Sequence, residues 1–122
     1  MQAAFLCAGQ REQFKKPLYK NQHLAFRMVD LANEIEMAKY MVYKAACDKD
    51  EHKPFSASAA KAKLIAAETA MHVTTDAVQM LGGNGFMKEY HVERLMRDAK
   101  ITQIYEGTSE IQKIVLSKGL FV

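Results

Sequence analysis

Residues 57–81 read ASAAKAKLIAAETAMHVTTDAVQML, and Ala57, Ala60, Leu64, Ala67, Met71, Thr74, Val78 and Leu81 follow one another in steps of three and four. That alternation keeps all eight on one face of a long α-helix. Small side chains on the face let another helix come close. Gly82-Gly83 follows at once, and a glycine just past the last periodic residue is a helix stop. Upstream, Leu24, Met28, Leu31, Ile35, Ala38, Val42 and Ala45 show the same alternation. The polar run Asp48-Lys49-Asp50-Glu51-His52-Lys53-Pro54 lies between the two seams. Pro54 disfavours helix at Lys53, so the run predicts a loop.

Shorter segments extend the pattern. Val92, Leu95, Met96 and Ala99 share a face of a helix expected over 91–100. Gly107 interrupts. Thr108 is suited to cap a last helix, with Glu110 in its first turn and Ile111, Ile114 and Val115 as its apolar face. The opening segment, Gln2 to Phe14, predicts a short helix ended before Pro17. No stretch combines period-two alternation with β-branched enrichment. The expected fold is all-α: one domain over residues 1–122, an antiparallel four-helix bundle with short extras.

The composition is that of an ordinary globular domain, 49% apolar and 25% charged over 122 residues. A net charge of +3, with no basic run longer than Lys15-Lys16, argues against nucleic acid. No apolar run approaches the roughly 20 residues that span a membrane. Cys7 and Cys47 read as reduced thiols. His23, His52, His72 and His91 are far apart, and none stands i, i+4 to another ligand, so no metal site is expected. Gly82, Gly83 and Gly85 superficially suggest a dinucleotide fingerprint, but they follow a helix rather than a strand, and that reading fails.

Three segments hold chemical potential. Arg11-Glu12-Gln13-Phe14-Lys15-Lys16-Pro17-Leu18 stands near the start. Gln79-Met80-Leu81-Gly82-Gly83-Asn84-Gly85-Phe86 joins a helix to a turn where another body can approach the backbone. Ile104-Tyr105-Glu106-Gly107-Thr108-Ser109-Glu110 sets a carboxylate at the mouth of a helix N-terminus, where unpaired N–H groups point outward. Taken singly, each has a plainer reading. Gly82-Gly83 is a helix stop, Glu106 a solvated loop acid, and Arg11 a surface charge.

Taken together with Gln22 and Leu95-x-Arg97-Asp98-Ala99-Lys100, these motifs resemble the carboxy-terminal helical domain of the acyl-CoA dehydrogenases, in order and spacing, from Arg11 to about Lys118. The resemblance implies a flavoprotein oxidoreductase of fatty acid metabolism, with FAD as cofactor. It removes two hydrogens from the α and β carbons of an acyl-CoA thioester and yields the trans-2-enoyl-CoA. It implies that Glu106 is the base for the α proton and that Gly107 lets the backbone run beside the thioester. The Glu106 N–H would donate to the thioester oxygen as enolate charge develops. Arg11 and Phe14 resemble an FAD-contacting pair. Gln22, Gln79, Gly82 and Gly83 resemble contacts to a neighbouring subunit's FAD, and Thr108, Ser109 and Glu110 contacts to the subunit's own. A homo-oligomer and an electron-transferring-flavoprotein-type acceptor follow from the same resemblance, as does a bacterial cytoplasmic or mitochondrial matrix location. A glutamate in the Tyr-Glu-Gly-Thr position points to the short, medium or glutaryl-type branches.

The chain also departs from the family. Lys15 stands where glycine is frequent and His91 where proline is. Only ten residues precede Arg11, and the family's amino-terminal helical and middle β domains are not represented. The expectation is a fragment that is inactive alone. The alternative is a non-catalytic oligomerisation module derived from the family, associating through the Ala57–Leu81 face.

Overall fold

The computed structural model describes residues 2–121. Six α-helices account for most of them: α1 (Gln2–Gln10), α2 (Gln22–Asp50), α3 (Ser56–Leu81), α4 (Gly83–Phe86), α5 (Val92–Thr102) and α6 (Ser109–Ser117). One small hairpin, Glu12–Gln13 against Lys16–Pro17, is the only sheet among the described residues. The fold is the expected all-α helical domain.

α3 is the central helix, packed against α1, α2, α5 and α6. Its buried residues are Ala60, Ala62, Ala67, Val73, Ala77 and Leu81. At about 100° per residue they fill one continuous arc roughly 160° wide. Ala60, Ala67 and Leu81 lie on the seam read from the sequence. Ala62, Val73 and Ala77 widen that arc beyond the seam, on a side that periodicity alone does not mark. Hydrogen bonds identify the two sides. His72 and Asp76 reach Glu34 and Arg27 of α2, whereas Lys63 and Glu68 reach the segment between α5 and α6. Part of the Ala57–Leu81 seam is thus covered by this chain's own α5 and α6: Ala60, Ala67 and Leu81 are buried, whereas Ala57 is exposed. Leu64, on that seam, is only half-buried.

Local chemistry moves several boundaries. α2 runs to Asp50, one turn beyond the expected loop start, because Asp48 is buried and paired with Lys44 one turn earlier. Lys53 N–H also returns to the Asp48 carbonyl at 2.9 Å. The connection to α3 is therefore only residues 51–55. Asn21 caps α2, its side chain accepting from His23 N–H at 3.1 Å. α1 stops at Gln10, not Phe14, because Arg11 to Leu18 folds as the hairpin. At the far end Ala4, Ala77, Leu81 and Val92 form a common core joining α1, α3 and α5. Gly85 presses backbone to backbone on α3: a Cβ there would lie 2.3 Å from the Val78 carbonyl oxygen. α5 starts from His91 at φ 58, a conformation closed to proline, whose ring holds φ near −65°.

Among the described residues no helix is long and apolar enough to cross a membrane, and both cysteines are free.

Candidate active site

The first cluster forms where α1 meets the end of α3. Arg11 leaves α1 with its N–H on the Cys7 carbonyl at 2.8 Å and accepts from Leu18 N–H at 3.0 Å. Between these, Glu12 pairs with Pro17 and Gln13 with Lys16. The two turn residues, Phe14 and Lys15, have φ of 53° and 63°. That is the twist a two-residue hairpin turn requires, and glycine suits it best. Lys15 is therefore a strained residue in a turn whose geometry glycine would suit better. Phe14 projects at the tip, 93% exposed.

Arg11 Nη1 donates to the Leu81 carbonyl at 3.1 Å. Gly82, at φ +61, lies beneath the guanidinium, and a Cβ there would sit 3.4 Å from Nη1. Arg11, Gln79 and Gly82 line an open depression of about 510 Å³ that also takes in Arg27, Asp76 and His23. Gln22 opens α2 beside it and is exposed, though it does not line it. Gly83 offers bare backbone, with nothing within 4 Å of where a Cβ would be. The donor set, one forked guanidinium over an open glycine corner, suits a phosphate or pyrophosphate.

A polar chain sits beside the depression. Arg27 pairs with Asp76 and donates from Nη2 to His72 Nε2 at 2.6 Å, while His72 Nδ1 meets Glu34 Oε2 at 2.7 Å. Arginine only donates, so Nε2 accepts and Nδ1 carries the proton toward Glu34. Arg27 is held above its ordinary value, chiefly by the Asp76 hydrogen bond. The sequence reading did not single out this chain of residues. Its members stand far apart in sequence, and only their shared packing between α2 and α3 unites them.

The second cluster is the connector between α5 and α6. Glu106 has φ 52 and Gly107 φ 86. The Glu106 side chain is exposed, so the burial that would strengthen it as a base must come from whatever covers this surface. No backbone carbonyl among the described residues accepts from the N–H groups of Glu106, Gly107 or Thr108, whereas Ser109 N–H returns to Gln103 at 3.0 Å. Three successive donors therefore remain open beside the carboxylate. Thr108 caps α6, accepting from Ile111 N–H at 3.4 Å. Glu110 is held below the usual carboxylate range, first by its own backbone N–H and then by the Thr108 hydroxyl. Ser109 is buried, and its Oγ has no partner among the described residues. Lys63 and Gln112, which the sequence reading did not single out, bind the carbonyl side of the turn.

The two clusters sit toward opposite ends of α3. Lys63 touches Gly107, whereas Gln79 lines the Arg11 depression. Sixteen helical residues separate them, about 24 Å at 1.5 Å per residue. A groove between α2 and α3 is lined mainly by apolar residues such as Ile35, Val42 and Val73, with Lys39 and Tyr43 also on it. Among the described residues no group of three or more His, Cys, Asp or Glu is placed to hold a metal.

The chain belongs to the acyl-CoA dehydrogenase family: residues 1–121 match the model for acyl-CoA dehydrogenase, C-terminal domain. It is similar to a short-chain specific acyl-CoA dehydrogenase of Megasphaera elsdenii, 56% identical over 91% of this chain and 29% of the relative. It is also similar to the mitochondrial short-chain specific enzyme of Bos taurus, 48% identical over 98% of this chain and 30% of the relative. The structure of butyryl-CoA dehydrogenase from Megasphaera elsdenii superposes with a TM-score of 0.97 at 52% identity, over 99% of this chain and 32% of that one. The chain spans about a third of the length of the relatives it matches.

Proposed function

We propose that this chain is the carboxy-terminal part of an FAD-dependent dehydrogenase that converts a short acyl-CoA thioester to its trans-2-enoyl-CoA, with Glu106 as the base. The observation that carries the reading is the Glu106–Gly107 turn, a carboxylate held in left-handed backbone beside three open N–H donors. Bound FAD supplies the acceptor for the β hydrogen, as hydride. The Glu106 carboxylate takes the α proton. The Glu106 N–H donates to the thioester oxygen, where negative charge grows as that proton leaves. Gly107, without a side chain, leaves room for the thioester. The short-chain preference rests on the names of the relatives.

Flavin binding divides between the clusters. Arg11, Gln79 and Gly82, with Phe14, Gln22 and Gly83 around them, present a cation and bare backbone suited to a pyrophosphate. Thr108, Ser109 and Glu110 present a capped helix start and a buried, unpartnered hydroxyl. A separation of about 24 Å along α3 favours two different flavins, and so a homo-oligomer whose sites are shared between subunits. One solved structure similar to this chain is an FAD complex of PigA, and another concerns the electron transferring flavoprotein of Acidaminococcus fermentans. An acceptor of that type would reoxidise the flavin here, in a bacterial cytoplasm or mitochondrial matrix.

The 122 residues alone lack a body that covers Glu106 and holds a flavin ring over the β carbon. Such orientation contributes on the order of 7–11 kcal/mol to a barrier. The isolated chain should therefore show no turnover of butyryl-CoA with an acceptor dye. In the full enzyme, Glu106→Gln should keep flavin and acyl-CoA while turnover falls by several orders of magnitude. An active Glu106→Gln enzyme would assign the base elsewhere.

A further inference from the structure

The connector that carries Glu106 is held from α3 at two points. Gln103 Nε2 donates to Glu68 Oε2 at 3.1 Å. Four residues on, Lys63 Nζ donates to the Gly107 carbonyl at 2.6 Å. From α6, Gln112 Nε2 donates to the carbonyls of Glu106 and Gly107, each at 3.2 Å. Side chains of two helices thus engage both carbonyls of the turn and leave its N–H groups open. The turn needs such support, because an L-residue at φ 52 is disfavoured by its own Cβ. Lysine is a costly choice for a half-buried position on α3 unless its ammonium is hydrogen-bonded. Here it makes a charge-assisted bond to a peptide carbonyl. Gly107, at φ +86, disfavours any side chain, and a Cβ there would also displace Gln112 Nε2, 2.8 Å away, from the turn.

We propose that Lys63 is a positioning residue for proton abstraction: it locks the Gly107 peptide, so that the Glu106 carboxylate and the open N–H groups address one acyl-CoA together. The proposal rests on the reading of Glu106 as base. It separates Lys63 from the other α3 lysine of the same turn, Lys61, which is exposed and has no hydrogen bond or ion pair among those of the described residues. A displaced carboxylate weakens the chemical step while leaving acyl-CoA binding intact, and a misplacement of about 1 Å can cost on the order of a hundredfold.

The test uses the full enzyme carrying this chain, butyryl-CoA, and butyryl-CoA deuterated at the α carbon. Lys63→Met should lower kcat by about ten- to a hundredfold with KM and flavin content retained. The α-deuterium isotope effect on kcat should rise, because proton abstraction becomes more limiting. Lys63→Arg should recover much of the loss, and Gln112→Leu should move kcat and isotope effect in the same direction by less. Wild-type kcat in Lys63→Met, beside a dead Glu106→Gln enzyme, overturns the role of Lys63 and leaves the base intact. Loss of flavin, or loss of kcat with an unchanged isotope effect, reveals general damage and also overturns it. An active Glu106→Gln enzyme removes the base, and this proposal with it. Should Lys63→Met fail to fold, Lys63→Arg and Gln112→Leu decide: unchanged kcat and isotope effect in Gln112→Leu overturns the proposal.

Discussion

Lys15 and Glu106 share a backbone conformation and differ in what it serves. Both are L-residues at positive φ, a state that costs roughly 1–2 kcal/mol relative to a right-handed one. At Lys15 the conformation closes a hairpin, and the side chain is exposed with no hydrogen bond or ion pair among those found. Lys15→Gly should therefore stabilise the fold, by up to about 1 kcal/mol after glycine's own entropy is discounted. Denaturant midpoints of the two chains would measure it, and a destabilised glycine variant would show that Lys15 makes a contact worth more than the strain. At Glu106 the same strain sets a carboxylate beside open N–H groups, and replacing the residue by glycine to relieve it would remove the proposed base. Strain at one position only closes a turn, whereas at the other, on the proposed reading of Glu106 as base, it serves the chemistry.

At the scale of elements, the joint between α2 and α3 is tied by Asp48. Its carboxyl is held below the usual range, first by the Lys44 hydrogen bond and next by Ser58 at the start of α3. A lowered carboxylate contributes stability that is present above its unfolded value, about 3.9, and is lost as pH falls through the folded value. Asp48→Asn should therefore melt below wild type at neutral pH, and the two curves should begin to converge beneath about pH 4 and meet only below the lowered folded value. Melting temperatures across pH 2 to 7 test this, and a gap that persists at low pH would assign the effect to packing. The same joint shows where sequence reasoning reached and where it stopped. Periodicity located both long helices, because burying one stripe leaves a mark every three or four residues. It read Asp48 as loop because composition registers polarity, not the partner that satisfies it. It missed the full width of the buried face of α3 because alanines at Ala62 and Ala77 are small enough for any surface. It missed the hairpin because Phe14-Lys15 carries no glycine to announce a turn. The motifs around Arg11, Gly82 and Glu106 were legible through family resemblance. Lys63 and the Arg27–His72 chain were not, since their partners are 44 and 45 residues away.

For the whole molecule, the decisive feature is the placement of the two clusters toward opposite ends of α3. If each flavin takes its phosphate contacts from one chain and its base from another, a defect in either function belongs to a different subunit's site. Two dead variants, Arg11→Ala and Glu106→Gln, should then rescue one another. Coexpressed in equal amounts and paired at random in a symmetric dimer, half the pairs are mixed, and each mixed pair contains one site with both residues intact. About a quarter of sites should work, from two proteins that are inactive when made separately. The gene that encodes this helix would show complementation between its own alleles.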